Sequence, residues 1–310
     1  MSIHGYNCYL EFKHVIILEV SVRQQNLNND PDQERFIKVL PRIRDGLNDK
    51  ETVNDWQFLL KRLIRPSLLE EFKDAIRLFP DNYTCNQYNN DKLKELKMPI
   101  CKIRAINKPE SAKYYDEENF FGLKNVINLS INAKITLTSN LWTSKGLVNG
   151  ANGIIRDIIF PVDKSEDSLP SAFLIEFENY TGPRLFEKNS LKYNWIPVNL
   201  FDAYFPLKNA HRLQFPIRLA YALTIHKSQG QTIPKTVIKL GDKEQSLGLT
   251  FVALSRVKNF SNFLIEPFSL ERLQKLSQSK LLKPRIEEEK RLKSISQKTL
   301  EFYYKIIQKS

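Results

Sequence analysis

Residues 224–232 read TIHKSQGQT and residues 250–256 read TFVALSR, and these two stretches decide how the rest of the chain is interpreted. The first brings hydroxyl, imidazole, ammonium and amide groups together with a glycine, just ahead of a predicted strand. Such a turn can bind phosphate oxygens through its side chains and backbone N–H groups. The second ends in Arg256, and an arginine there can stabilise charge that develops on a phosphate. If each stretch is considered alone, TIHKSQGQT could also be an ordinary loop and Arg256 an ordinary surface residue.

Composition indicates a globular protein with a polyanionic partner. The 310 residues include 47 Lys and Arg against 35 Asp and Glu, a net charge of +12. A surplus of this size attracts nucleic acid, because each neutralised phosphate releases counterions; a merely basic soluble protein is the alternative. The length exceeds the roughly 100 to 200 residues of one domain, which predicts two compact units. The 42% hydrophobic and 26% charged content excludes disordered and fibrous classes.

Cysteine and histidine placement predicts no metal centre and no disulfide framework. Cys8, Cys85 and Cys101 form no CxxC pair, and the four histidines lack metal-ligand spacing. The first 20 residues lack the pattern of a secretory signal, and no apolar run reaches the roughly 18 residues of a membrane helix. We therefore expect an intracellular protein with no membrane partner.

Hydrophobic spacing predicts alternating strands and helices with one antiparallel region. Residues 14–22, HVIILEVSV, are predicted to form a buried strand. Residues 154–198 contain the short apolar pieces IIRDIIF, AFLIEF and RLF, which favour a small antiparallel barrel inserted in an α/β domain. The remaining predictions are helices over 33–47 with Asp32 as N-cap, over 56–64 and over 280–310; a strand, turn and helix within 71–96; a loop over 145–153; and strands over 131–141, 236–240 and 262–268.

Four stretches in fixed order carry a resemblance to a known family: LEVSVRQ at 18–24, LTSNLWTSKGLVNGANG at 137–153, FPIRLAYALTIHKSQGQT at 215–232 and GLTFVALSRVKNF at 248–260. From about residue 5 to 273 the chain resembles the C-terminal half of the petite-integration-frequency (PIF) type DNA helicases, relatives of RecD in superfamily 1. The resemblance implies an α/β fold: a second RecA-like domain, with the parallel sheet of a P-loop NTPase, that carries an inserted SH3-like β-barrel. The implied parts are 1–146 and 208–275 for the RecA-like domain, 147–207 for the barrel and 276–310 for a C-terminal helix.

The resemblance also implies roles for individual residues. Arg23 and Arg256 would be catalytic and reach the ATP phosphates. Gln229 and Gly230 would be nucleotide-binding residues that link the state of the nucleotide to DNA binding. The residues implied to contact DNA are Thr224, His226, Lys227, Ser228, Asn140 and Asn149. The intact family enzyme uses ATP and Mg²⁺ to move five-prime to three-prime on single-stranded or forked DNA. Roles in DNA repair, recombination or telomere maintenance, in the nucleus or mitochondria, follow from the same resemblance.

One departure from the family pattern limits these expectations. No glycine in the chain is followed by lysine, so the GxxxxGKS/T phosphate loop is absent. The Asp116–Glu117 pair follows Lys-Tyr-Tyr rather than a hydrophobic strand, which makes it a poor metal-binding candidate. We therefore expect no ATP hydrolysis and no tight ATP or Mg²⁺ binding by this chain alone. Three interpretations remain: a truncated helicase or a half completed by another chain, a catalytically inactive single-stranded DNA-binding module, and a fragment of a mobile-element helicase.

Overall fold

The computed structural model describes residues 3–18, 21–26, 29–162 and 169–307. The chain divides into two compact units, as its length predicts: Met1–Pro80 with Ile225–Ser310 form the first unit, and Asp81–Thr224 form the second. Within the described ranges, no helix combines the length and the apolar character needed to cross a membrane.

The helices and strands follow in chain order. They are α1 (Ile3–Leu10), α2 (Pro31–Arg44), α3 (Glu51–Leu60), α4 (Pro66–Leu69), β1 (Ile76–Phe79), α5 (Asn82–Glu95), β2 (Cys101–Arg104), β3 (Ile106–Lys108), β4 (Val126–Leu129), β5 (Lys134–Leu137), β6 (Asn152–Ile159), β7 (Ala172–Phe177), β8 (Trp195–Val198), β9 (Phe201–Phe205), β10 (Ala210–Gln214), β11 (Ile217–Leu219), β12 (Ala222–Thr224), β13 (Thr236–Ile238), α6 (Leu249–Leu254), β14 (Phe263–Ile265), α7 (Leu270–Leu276) and α8 (Leu282–Ile307).

The first unit is built on parallel strands flanked by helices. Strand β13 pairs in parallel with β1 on one side and with β14 on the other. These short strands are fully apolar or nearly so, as expected for strands covered on both faces. Phe36 of α2 packs against Phe263 of β14, with ring centroids 5.6 Å apart. Phe58 of α3 stacks on Phe260, which lies just before β14, with ring centroids 4.3 Å apart. The predicted α/β class with a parallel sheet is confirmed.

The second unit is mainly antiparallel. Its largest sheet has the order β11-β5-β6-β7-β8, and a smaller one has the order β3-β10-β9. The core of this unit is formed by alternate residues of the larger sheet, including Ile135, Ile155, Phe173 and Ile175, all with 0% exposure. A shift in register between Ile155 and Asp157 marks a bulge in β6, which bends the strand.

Most predicted elements are present with shifted ends. Helices α2, α3 and α8 and strands β1, β5, β13 and β14 occur where the hydrophobic spacing places them, and α5 follows the predicted turn. Strands β6 and β7 correspond to IIRDIIF and AFLIEF, but RLF is not a strand and β8 takes that place in the sheet. The sheet also includes β5 and β11, which lie outside residues 147–207, so the antiparallel region is larger than predicted.

Two further local predictions are wrong. The described residues of the predicted strand 14–22 have no regular secondary structure, and Leu18 is 90% exposed; residues 19–20 lie outside the described ranges. A strand needs a neighbour to satisfy its backbone groups, and none pairs with the described part of this segment. The N-cap of α2 is Asp30 rather than Asp32, because Pro31 takes the first helical position and the Asp30 side chain accepts from Asp32 N at 2.9 Å.

Candidate nucleotide and nucleic-acid site

The TIHKSQGQT stretch forms a tight turn after β12. One turn of 3₁₀-helix covers His226 to Ser228, and Gly230 follows with φ +85°, a left-handed conformation that favours glycine. The Ser228 hydroxyl, with 0% exposure, donates to Ile225 O at 2.7 Å and holds the turn closed. The exposed side chains of the stretch are those of His226, Gln229 and Thr232.

The residues predicted to contact DNA differ in exposure. The His226 ring is exposed, with Nε2 at 3.0 Å from Ser246 Oγ, and Lys227 is half-buried. Thr224, at the end of β12, and Ser228 are buried, so their side chains stabilise local structure here. For all four, contact with DNA stays a prediction.

Arg256 is held in a buried setting at the end of the VALSR stretch. Its side chain is 7% exposed and donates from Nε to Val252 O at 2.7 Å and from Nη2 to Ser255 Oγ at 2.9 Å. Nη1 donates to Ser228 O at 3.3 Å and to Gln231 O at 3.4 Å. All these acceptors are neutral. Arg256 therefore links α6 to the TIHKSQGQT turn, and no carboxylate among the described residues pairs with its charge.

Arg23 reaches the same place from a distant part of the sequence. Its Nη1 donates to Ser255 O at 2.9 Å and its Nε donates to Thr232 Oγ1 at 3.0 Å. Burial, and secondarily the charge of Arg23, lower the pKa of Arg256 to about 10. With this pKa Arg256 still carries its charge at neutral pH. Neither guanidinium group forms an ion pair with a described carboxylate. The structure thus brings together both arginines predicted to reach phosphate.

This arginine pair, Arg23 and Arg256, fits the phosphates of a nucleotide. Guanidinium groups bind phosphate oxygens through paired N–H donors, and adjacent uncompensated charges favour a multiply charged anion. The fit does not extend to Mg²⁺: no cluster of three or more His, Cys, Asp or Glu in the described part of the chain could hold a metal ion. The residues described here can therefore hold phosphate but do not supply a carboxylate site for the metal.

An open pocket of about 390 Å³ lies beside Arg23. Its lining residues include Arg23, Gln25, Asn26, Asp30, Lys258 and Asn259, and Arg256 is not one of them. Its volume lies within the range of small-molecule sites, roughly 300 to 1,000 Å³. Its lining is mostly polar, as suits a hydrophilic ligand.

Sequence reasoning missed Gln24, which organises the arginine pair. Gln24 is 8% exposed, and its Nε2 donates to Ser255 O at 2.9 Å and to Val257 O at 2.8 Å. It thereby clamps the backbone on both sides of Arg256. The sequence did offer a sign of this role, because Gln24 directly follows Arg23 in the quoted LEVSVRQ stretch.

Asn140 and Asn149 lie together in the second unit. Asn140 Oδ1 accepts from Asn149 N at 2.8 Å, and both side chains are exposed. This bond closes the loop between β5 and β6, where Gly146 and Gly150 take left-handed conformations. The structure confirms the predicted glycine loop and leaves the DNA contact a prediction.

Comparisons with known proteins agree on one group of relatives. The chain is 31% identical over 258 residues to the ATP-dependent DNA helicase Pif1 of Campylobacter jejuni, covering 81% of this chain and 53% of the relative. It is 28% identical over 238 residues to human PIF1, covering 76% of this chain and 33% of the relative. The chain thus spans about half the length of the first relative and a third of the second. No protein-family model matches it.

Solved structures place the fold in the same group. Pif1 helicase from Candida albicans has a TM-score of 0.59 at 23% identity, covering 84% of this chain and 58% of that one. Bacteroides Pif1 bound to single-stranded DNA has a TM-score of 0.54 at 22% identity, covering 84% and 53%. The parallel sheet of the first unit accordingly has the fold of a RecA-like helicase domain. Taken with the sequence identities, this makes the chain a homologue of the Pif1-family DNA helicases over most of its length.

Proposed function

We propose that this chain supplies the phosphate-sensing and DNA-coupling part of a Pif1-type, ATP-dependent DNA helicase. The observation that carries the proposal is the convergence of Arg23 and Arg256 on Ser255 without a carboxylate partner among the described residues. Homology to Pif1 helicases supports ATP, with Mg²⁺, as the source of the phosphate. A domain with the GxxxxGKS/T loop and a metal site would complete the enzyme, because this sequence has no Gly-Lys pair and its described residues hold no cluster that could bind a metal ion.

The arginine pair would act on charge that develops during hydrolysis. Bound ATP supplies a terminal phosphoryl group whose oxygens become more negative as the bond to the leaving group breaks. Arg256 is already fixed by its bonds to Val252 and Ser255, so its charge is positioned before reaction. Arg23 adds a second positive charge from the opposite end of the sequence.

The same arginine supports coupling between nucleotide and DNA. Arg256 donates to Ser228 O and Gln231 O, so a shift of its guanidinium shifts the backbone around Gln229 and Gly230. His226 and Lys227 lie on that turn and are the proposed contacts to the DNA strand. Thr224 and Ser228 would act by keeping the shape of the turn, since their side chains are buried.

Further parts of the proposal rest on the family resemblance. The first unit would be the second RecA-like domain, and residues 147–207 an SH3-like insertion with Asn140 and Asn149 at its entrance. The proposed substrate is single-stranded or forked DNA, with movement five-prime to three-prime. DNA repair, recombination or telomere maintenance in the nucleus or mitochondria would be the setting.

DNA binding by the purified chain tests the coupling turn. Fluorescence anisotropy with a single-stranded oligonucleotide across a salt series should give an affinity that falls as salt rises. Lys227→Ala should weaken binding and reduce the salt slope by about 0.7, the value for one single-strand phosphate contact. Lys50→Ala, an exposed lysine at the start of α3, should change neither quantity. Salt-independent binding, or equal effects of both variants, would refute the proposed contact.

ATP hydrolysis by a chimera tests the arginine pair. The matched 258 residues of the Campylobacter jejuni relative are replaced by the corresponding part of this chain. Arg256→Ala should lower kcat on the order of 10³-fold or more, as for the loss of an arginine finger. Arg44→Ala, on the surface of α2, serves as the control. Full activity of the Arg256→Ala chimera would overturn the assignment.

A further inference from the structure

A buried ion pair lies at the start of α6. Arg272 of α7 and Glu244 contact each other with Nη2 2.7 Å from Oε2, and their side chains are 0% and 12% exposed. Thr250, which is also buried, joins them: its backbone N donates to Glu244 Oε1 at 3.0 Å, and its hydroxyl donates to Oε2 at 2.6 Å. Arg272 Nε in turn donates to Thr250 Oγ1 at 3.1 Å. The carboxylate of Glu244 thus fixes the first turn of α6 to α7.

The same pair anchors the segment that precedes α6. Residues 241–248 contain no helix or strand, and Gly241 and Gly248 at the two ends have φ of +73° and +88°. Because no ladder of backbone hydrogen bonds orders these residues, side-chain contacts determine where the segment lies. Arg272 Nη1 donates to Gly241 O at 2.8 Å, and Glu244 belongs to the segment itself. The 241–248 segment is therefore tied to α7 at two of its residues.

The 241–248 segment also contacts the TIHKSQGQT turn. Ser246 Oγ lies 3.0 Å from Nε2 of His226, and both side chains are exposed. Further along the turn, Arg256 donates to Ser228 O and Gln231 O. Ser246 precedes α6 and Arg256 follows it, so both contacts to the turn come from parts of the chain that Glu244 holds together. The orientation of the His226 ring consequently depends on where the segment places Ser246.

We infer that Glu244 is a positioning residue for DNA binding: paired with Arg272, it places Ser246 so that the His226 ring is oriented for contact with a DNA strand. The inference rests on the proposed function, in which His226 contacts DNA. A side chain that rotates freely loses conformational entropy on binding, whereas a ring already held by Ser246 has less to lose. Without Glu244, the charge of Arg272 would be buried and unpaired, and the segment would lose its bonds to α6.

Histidine NMR tests the orientation of His226 in the absence of DNA. The full 310-residue chain has four histidines, so histidine-selective isotope labelling gives one Cε1–Hε1 signal for each, and His226→Ala identifies the signal of His226. Ser246→Ala should move this signal because it removes the direct contact, and Glu244→Gln should move it in the same direction. The signal of His211, in the second unit, should stay in place. Ser277→Ala, at an exposed serine just after α7, is the matched control.

DNA binding by the same variants tests the consequence. In fluorescence anisotropy with a single-stranded oligonucleotide, Ser246→Ala and Glu244→Gln should each raise Kd about five-fold, or about 1 kcal/mol at 1.4 kcal/mol per tenfold. Ser277→Ala should leave Kd unchanged. In a His226→Ala background neither variant should weaken binding further, because both act through that ring. A general loss of structure would instead weaken binding in both backgrounds.

Arg272→Lys provides a second test if Glu244→Gln does not fold. Lysine keeps a positive charge beside Glu244 but cannot reproduce the planar fork that reaches Gly241 O and Thr250 Oγ1 together. The variant should therefore move the His226 signal and raise Kd in the same way. Its loss of stability should be smaller, because the buried carboxylate keeps a charged partner.

The two measurements separate failure of the inference from failure of the proposed function. If Ser246→Ala leaves the His226 signal in place, or if neither Glu244→Gln nor Arg272→Lys moves it, the inference is wrong. It is also wrong if the signal moves while Kd stays the same, or if the rise in Kd persists in the His226→Ala background. If the wild-type chain shows no salt-dependent binding to DNA, the proposed function is refuted together with the DNA-binding role of Glu244.

Discussion

Replacing Gln24 with leucine should separate the arginine pair from its backbone support. Gln24 is buried, and its amide donates to Ser255 O and Val257 O, on either side of Arg256. Leucine has a similar size but no donor. Gln24→Leu should therefore destabilise the first unit and displace Arg256, while leaving the arginines themselves intact.

The expected loss in the free energy of unfolding follows from the hydrogen bonds that the two carbonyl groups lose. Ser255 O retains the Arg23 donor, so only one hydrogen bond is lost there, at a net cost of about 1 kcal/mol. Val257, with 0% exposure, loses its side-chain donor and leaves a buried acceptor unsatisfied, which costs about 2 kcal/mol. The sum is about 3 kcal/mol, and with a urea slope near 3 kcal/mol/M the midpoint should fall by about 1 M.

Urea unfolding followed by tryptophan fluorescence measures this effect. Trp56 lies in the first unit, and Trp142→Phe/Trp195→Phe removes the tryptophans of the second unit. Gln25→Leu is the control, because the adjacent Gln25 side chain is exposed. If Gln24→Leu and Gln25→Leu unfold at the same urea concentration, the amide does not brace Arg256 and the reasoning is wrong.

Three further predictions concern stability. Arg212→Met should destabilise the second unit by about 4 kcal/mol, because Arg212 is 1% exposed and donates to four acceptors, three of them backbone carbonyls; urea unfolding in a Trp56→Phe background measures it. Gly146→Ala should cost more than about 2 kcal/mol by the same assay, since φ is +88° and the new Cβ would lie 2.3 Å from Asn179 O. The contact between α1 and α8 should weaken in acid. Hydrogen bonds from Arg291 and Tyr9 lower the pKa of Glu288 from 4.5 to about 2, so the stabilisation is complete above pH 4.5 and is lost as pH falls towards 2. Amide exchange in α1 measures this loss. The control for Arg212→Met is Arg104→Met, at an exposed position of β2. The control for Gly146→Ala is Gly122→Ala in the same unit, where φ is +78° and the nearest atom to the new Cβ is Thr138 Cβ at 3.9 Å. The control for the acid effect is Glu301→Gln, at an exposed position of α8. If the Arg212 or the Gly146 variant unfolds at the same urea concentration as its control, the explanation for that residue is wrong. If amide exchange in α1 keeps the same acid dependence after Glu288→Gln, the explanation from Glu288 is wrong.

Periodic elements were predictable where local pattern and burial agree. Helix α2 and strand β13 match their predicted positions because their apolar spacing faces a core within the same unit. The strand predicted at 14–18 is absent for the opposite reason. Its β-branched pattern is typical of a strand in a sheet, but no described strand pairs with this segment. Residue pattern alone could not distinguish a buried strand from an exposed irregular segment.

The candidate site was partly readable from the sequence. The polar turn and Arg256 stand out because their residues are contiguous, and Arg23 was found through the family resemblance. Gln24 was missed, because the importance of its amide depends on two carbonyls that only folding brings near. Likewise, the burial of Ser228 could not be inferred from a hydroxyl in a polar stretch.

The sequence by itself determined the kinship with Pif1 helicases, the basic charge, the absence of a glycine-lysine phosphate loop and the polar turn, because each of these resides in residue identity or in short, contiguous spacing. Only the tertiary structure decided that Arg23 meets Ser255, 232 positions away, and that Arg256 has no carboxylate partner among the described residues. Contacts between distant residues depend on which surfaces pack together, and that choice is made by the whole core rather than by any local pattern.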